Sequence, residues 1–141
     1  MRVAFGTDEV TETSRSLVDA LRARGHEIVV SLEGAPWPDV GRKVAEAVAA
    51  GDADLGVVCC WTGTGVTIAA NKVAGVRAAL CGDAKTAEGA RRWNDANVLA
   101  ISLRATSVPV AEEILDAFLR TDPDADEAEN IAKLERIRPS P

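Results

Sequence analysis

The sequence predicts an α/β domain built on a five-stranded parallel sheet covered by helices on both faces. Short apolar, β-branched runs recur five times along 141 residues, and amphipathic stretches with helical spacing separate them. Glycine or a short polar residue closes nearly every segment. Strand and helix in regular alternation imply crossover connections, and therefore parallel strands with helices on either side.

Residues 2–5 read as the first strand, ending at Gly6-Thr7-Asp8-Glu9. Ser16, Leu17, Val18, Ala20, Leu21 and Ala23 form a helical stripe that Gly25 stops. Residues 27–30 are a second strand. Pro36 and Pro38 predict a loop over residues 34–39, with Asp39 capping a helix through Val44, Ala45, Ala47 and Val48 to Gly51. Leu55-Gly56-Val57-Val58-Cys59 is apolar at every position, as a strand buried on both faces must be. From Val66 the chain reads as a helix with Gly75 as its stop.

Residues 76–80 form the fourth strand, with Cys81-Gly82-Asp83 at its end, and residues 86–94 form a helix. Residues 98–101 make the fifth strand. Pro109 opens a helix that places Val110, Ile114, Leu115, Phe118 and Leu119 on one face, and Asp122-Pro123-Asp124 breaks it. Residues 126–137 read as a last amphipathic helix with Ile131, Leu134 and Ile137 aligned. It either docks on another subunit or packs on its own domain. Residues 1–141 are thus one domain, with 122–141 as a C-terminal helix and tail.

A net charge of −6 with no Lys/Arg block argues against nucleic acid as a partner. No apolar run reaches the length of a membrane span, and no signal peptide opens the chain. The three cysteines, two of them adjacent, give neither a disulfide framework nor paired zinc spacing, so a reducing, cytoplasmic compartment is expected. His26, the single histidine, cannot carry a metal site and reads as a solvated turn residue. No metal and no cofactor are expected.

The stretch that concentrates chemistry is Cys60-Trp61-Thr62-Gly63-Thr64-Gly65, between the third strand and its helix. A glycine-rich turn opening a helix points several N–H groups at one spot, at the positive end of the helix dipole. It suits a phosphate, a carboxylate or a developing enolate, though Gly-Thr-Gly can equally be a tight turn and nothing more. Cys60 is expected to face the turn, where that field favours a thiolate, while Cys59 faces the core. Ligands of parallel sheets bind at the carboxyl ends of the strands, which here carry Asp8-Glu9, the Cys60 turn, Asp83 and Ser102 to Arg104. A thiol, hydroxyls, an anion-binding turn and carboxylates together suit proton transfer beside a carbonyl.

Gly63-Thr64-Gly65 through Ala69-Ala70-Asn71-Lys72, then Gly75-Val76-Arg77-Ala78, then residues 90–99 with Asn94-Asp95-Ala96-Asn97, strongly resemble the ribose-5-phosphate isomerase B / galactose-6-phosphate isomerase family. Val3-Ala4-Phe5-Gly6-Thr7-Asp8 resembles the family's opening. The resemblance implies a Rossmann-like three-layer fold, a homodimer or homotetramer with sites at the subunit interface, and cofactor-free aldose–ketose isomerisation. It assigns Cys60 to the base that moves a proton between two carbons. A glutamate serves other members, but Val66 stands at its position, so the role falls on Cys60 or is empty. Thr62 matches the neighbouring hydroxyl and is expected to shuttle a proton, and the amides of Trp61 to Gly65, Thr64 among them, match the anion hole for the enediolate. Asn94 and Asp8 match sugar contacts, and Arg104 matches an arginine reaching phosphate from a neighbouring subunit.

The departures are as informative. The family's Asp-His pair is Asp8-Glu9, its ring-opening histidine is Trp93, and Trp37 and Trp61 replace a tyrosine and a glycine. Its C-terminal Arg-His…Arg set aligns with Glu129, Asn130 and Lys133. Indole only donates a hydrogen bond, so Trp93 cannot replace an imidazole in proton transfer. Glu9 and Glu129 would repel a phosphate dianion. Three tryptophans near one rim would narrow the cleft and offer stacking faces, or serve as core or interface anchors. The expected function is aldose–ketose isomerisation through a cis-enediolate, on a substrate other than ribose 5-phosphate that is short, unphosphorylated or needs no enzymatic ring opening. The alternative is an inactive relative that binds a sugar-like metabolite or acts as an assembly partner. A flavodoxin-like nucleotide binder fits less well, because the turn lacks both the G-x-G-x-x-G spacing and the Walker lysine.

Overall fold

The computed structural model describes residues 1–137; positions 138–141 of the expected tail lie outside the described residues. Strands β1 (Arg2–Thr7), β2 (Glu27–Glu33), β3 (Leu55–Cys60), β4 (Ala78–Leu80) and β5 (Val98–Ser102) form one parallel sheet in the order β2-β1-β3-β5-β4. Helices α1 (Glu12–Ala23), α2 (Trp37–Ala49), α3 (Thr64–Asn71), α4 (Ala84–Asn94) and α5 (Val108–Arg120) connect and cover it. A single 3₁₀ turn at Ala125–Glu127 leads into α6 (Ala128–Leu134). The expected three-layer α/β sandwich is the fold.

Local chemistry starts each helix. Thr11 and Ser14 cap α1 reciprocally, each side chain bonding the other's main-chain amide. Asp83 caps α4 by accepting from the Thr86 amide at 2.7 Å, and that bond holds its carboxyl below the usual range. The prolines that predict a loop before α2 instead lie in its opening: Pro36 is the N-cap and Pro38 sits in the first turn. The reason is that a first-turn residue has no intrahelical acceptor for its N–H, so proline forfeits nothing there. The last helix is shorter than its apolar pattern, with Ile137 beyond its end.

Two cores flank the sheet. Phe5, Leu17, Leu21, Leu99, Ile101, Ile114, Leu115 and Phe118 pack beneath α1, α4 and α5. Smaller side chains, including Ala4, Val40, Val44, Val58, Val66, Ala70 and Ala100, fill the layer under α2 and α3. Each large side chain buried there contributes on the order of 2 kcal/mol. Cys59 and Cys60 divide between these cores, as alternation along β3 requires. No residue of α6 is buried; Arg77 holds it through Glu135 at 2.6 Å, leaving Leu134 exposed.

The sheet order also fixes where chemistry can gather. From β1 the chain crosses outward to β2, whereas from β3 it crosses the other way to β4. Loops leaving the adjacent β1 and β3 therefore part to opposite sides and open a crevice at their carboxyl ends. No described helix is long and apolar enough to cross a membrane.

Candidate active site

At that crevice β3 ends in Cys60 and the chain turns through Trp61, Thr62 and Gly63 into α3. Gly63 is the N-cap with φ 76°, a left-handed conformation that side-chain-bearing residues rarely adopt. A Cβ there would also lie 2.5 Å from Leu80 Cδ1 and 3.0 Å from the Ser102 amide nitrogen. Gly65 is required by contact, since a Cβ on it would meet the Trp37 ring at 2.8 Å. The Trp61 carbonyl is pinned to the β5 end by the Arg104 amide at 2.9 Å and the Ser102 hydroxyl at 3.1 Å.

Among the described residues the amides of Thr62, Gly63, Thr64, Gly65 and Val66 donate to no protein acceptor. The first turn of any helix leaves such donors free, and the two turn residues extend the set to five in succession. They share a rim with Asp8, whose amide bonds the Cys59 carbonyl at 3.3 Å. Asp8 Oδ1 is buried without a hydrogen-bond partner. Burial, and then the neighbouring Glu9 carboxylate, push the Asp8 carboxyl above its ordinary range. Glu9 itself is exposed on the same rim.

Cys60 differs from expectation in one respect. It lies beneath the turn, 4% exposed, among Val40, Val58, Val66 and Ala100, because its side chain shares the face of Val58 toward α2 and α3. The thiol therefore packs with Val66 of α3 in the layer beneath the helix and does not stand open at the mouth of the turn. Cys59 and Cys81 are also buried, and burial raises both thiols, Cys81 to about 11.

The chain matches the Ribose/Galactose Isomerase family over residues 3–137. It belongs to that family. The ribose-5-phosphate isomerase B of Escherichia coli is 40% identical over 123 residues, covering 84% of this chain and 83% of that protein. The D-erythrulose-4-phosphate isomerase of Pectobacterium atrosepticum is 32% identical over 143 residues, covering 97% and 93%. The solved structure of Clostridium thermocellum ribose-5-phosphate isomerase B superposes with a TM-score of 0.88 at 35% identity, covering 96% of each chain.

The ribose/galactose isomerase fold separates the expected site residues into two groups. Asp8, Glu9, Cys60, Trp61, Thr62, Gly63, Thr64, Gly65 and Arg104 gather at the carboxyl end of the sheet. Arg104 thus stands on the rim of its own chain's turn, exposed and without a side-chain ion pair among the described residues. Asn94 and Trp93 end α4, which returns the chain to the start of β5, and Val98 pairs with Gly56 and Ala78 at the opposite sheet edge. The length of β5, about 13 Å at the usual strand rise, separates that edge from the turn. Lys133 lies on α6, which Arg77 ties to this far edge. The three tryptophans therefore do not share a rim: Trp37 and Trp61 flank the turn, and Trp93 folds back over Gly89 of its own helix.

Two residues that the sequence placed near the cleft take specific parts in the structure. Trp37 forms a wall against Gly65, and Ser102 anchors the turn through its hydroxyl.

Proposed function

We propose that the chain is a cofactor-independent aldose–ketose isomerase acting on a small sugar phosphate through a cis-enediolate. The observation that supports it most is the run of five amides from Thr62 to Val66, unpartnered among the described residues, in the turn that leaves β3 at Cys60. Isomerisation moves one proton between adjacent carbons and leaves negative charge on their oxygens. Cys60 is the base for the carbon-bound proton, and the preorganised amides receive the oxygen charge, a service worth a few kcal/mol. Asp8, with an oxygen awaiting a partner, binds a substrate hydroxyl. Gly63, Thr64 and Gly65 supply main-chain donors, Thr62 a hydroxyl, and Trp61 and Trp37 the walls.

Arg104 supplies the cation that offsets Glu9 for an anionic substrate. Asn94, Trp93 and Lys133 can join a site only from a second copy, so the working unit is a homodimer or larger. The exposed apolar residues Trp61, Ile68 and Leu80 beside the turn, and Leu134 and Ile137 on the far edge, support such pairing.

The test is aldose–ketose interconversion assayed over four-, five- and six-carbon sugar phosphates, with wild type and Cys60→Ala, alongside the mass in solution by light scattering. Cys60→Ala is expected to lose at least about 100-fold in kcat. Wild-type turnover that survives the substitution removes Cys60 from the mechanism. Stabilisation by sugar phosphates without turnover favours the binding protein instead.

A further inference from the structure

Thr62 Oγ1 and Thr64 Oγ1 lie 2.8 Å apart, a hydrogen bond in which either atom can be the donor. This contact is not a by-product of regular structure. In an extended strand, side chains at i and i+2 stand roughly 7 Å apart, and in a helix they do not face one another. The left-handed Gly63 between them folds the two hydroxyls together. Both side chains are exposed on the rim that carries the five free amides, and neither hydroxyl has another protein partner among the described residues.

We propose that Thr64 is a second catalytic hydroxyl, bonded to Thr62 so that the proton Thr62 is expected to shuttle between the two substrate oxygens passes through both side chains. The inference rests on the isomerase reading above. Converting an aldose to a ketose requires two proton movements: one from C2 to C1, given to Cys60, and one from the C2 oxygen to the C1 oxygen. The second needs a group that accepts at one oxygen while donating at the other. A hydroxyl carries one proton and two lone pairs, so a bonded pair has a donor end and an acceptor end.

The step balances. The C1 oxygen takes the proton of one threonine, that threonine takes the proton shared with its neighbour, and the neighbour takes the proton of the C2 hydroxyl. No charge is left on either side chain, and no further reactant enters. Afterwards the bond between the threonines points the other way, which is the arrangement the reverse reaction needs. The oxygens of a cis-enediol sit side by side at a comparable hydrogen-bonding distance, so the pair matches what it must bridge.

The experiment compares wild type, Thr64→Val, Thr64→Ser and Thr62→Val on whichever sugar phosphate the wild type turns over best. Thermal unfolding of each verifies that it is folded. Thr64→Val, which keeps shape but not the hydroxyl, is expected to lower kcat by about 100-fold with KM changed less than about threefold. Thr64→Ser is expected to stay within about threefold of wild type. In mixtures of light and heavy water, wild-type kcat should fall along a bowed curve, because more than one proton moves together. Thr64→Val kcat should fall along a straight line. Full kcat in Thr64→Val, or a straight line in wild type, overturns the relay while leaving the Cys60 mechanism intact. Wild type silent on every sugar phosphate removes the isomerase reading and the relay with it.

Discussion

The side chain of Asn71 completes the exposed edge of the sheet: its Nδ2 donates to the Ala78 carbonyl at 2.9 Å, and its Oδ1 accepts from the Ala78 amide at 2.8 Å. One amide group thus takes the place of a neighbouring strand beside β4. Asn97, the residue before β5, works on the other side of β4: its side chain accepts from the Arg77 amide at 2.7 Å and donates to the Gly75 carbonyl at 2.9 Å, extending the β4–β5 pairing by one step. An open strand edge invites pairing with another chain, and Asn71 occupies it.

Asn71→Ala removes both bonds and leaves the Ala78 groups to water. A loss of about 2 kcal/mol is expected, read from the urea midpoint at unchanged slope. Asn71→Asp should lose nearly as much, because an ionised carboxylate cannot donate to the Ala78 carbonyl. Equal midpoints for wild type and both variants would show that the edge needs no such partner.

The turn makes different demands at its two glycines. Gly63→Ala meets both a left-handed backbone and the Ser102 main chain, whereas Gly65→Ala meets only the movable Trp37 ring. Gly63→Ala is expected to cost at least about 2 kcal/mol, and Gly65→Ala about 1 kcal/mol. Gly65→Ala should also shift tryptophan fluorescence as Trp37 is displaced. Chemical denaturation followed by circular dichroism ranks the two.

Asp8 makes stability depend on pH. Its carboxyl is raised above 3.8 by burial and by Glu9, so ionising it is harder in the folded chain than in the unfolded one. The stability it lends is full below the unfolded pKa and disappears as pH rises through the folded value. Asp8→Asn carries no charge to desolvate. Its stability relative to wild type should therefore grow from acid toward neutral pH and then level off, while turnover falls. Parallel thermal-melt profiles for the two proteins between pH 3 and 8 would refute this.

Thiol labelling separates the three cysteines. Burial holds Cys81 near 11, and Cys59 higher still, so at pH 8 only about a thousandth of Cys81 is thiolate. Iodoacetamide at pH 8 is expected to leave both unmodified in the folded protein. All three should react once it is unfolded in urea. Peptide mapping by mass spectrometry gives the result, and rapid labelling of Cys59 in the native state would contradict its place in the core.

The sequence by itself determined the layered α/β architecture, because apolar runs, amphipathic stripes and glycine stops are local signals that need no partner. It also marked Cys60 to Gly65 as the candidate site, since a glycine turn opening a helix leaves free amides wherever it is placed. Asn71 and Asn97, conspicuous in sequence within their motifs, are structural props of β4, and that role is set by a strand seven residues away and a loop twenty-two residues back. Tertiary structure alone decided that Trp93 and Asn94 stand a strand's length from their own Cys60. The cause is directional: α4 runs antiparallel to the strands it joins, so a residue at its end must lie at the sheet edge opposite to a residue at the end of β3. Tertiary packing likewise laid Trp37 over Gly65 and closed α2 and α3 over Cys60, because close-packed contact between distant segments leaves no periodic trace in the chain.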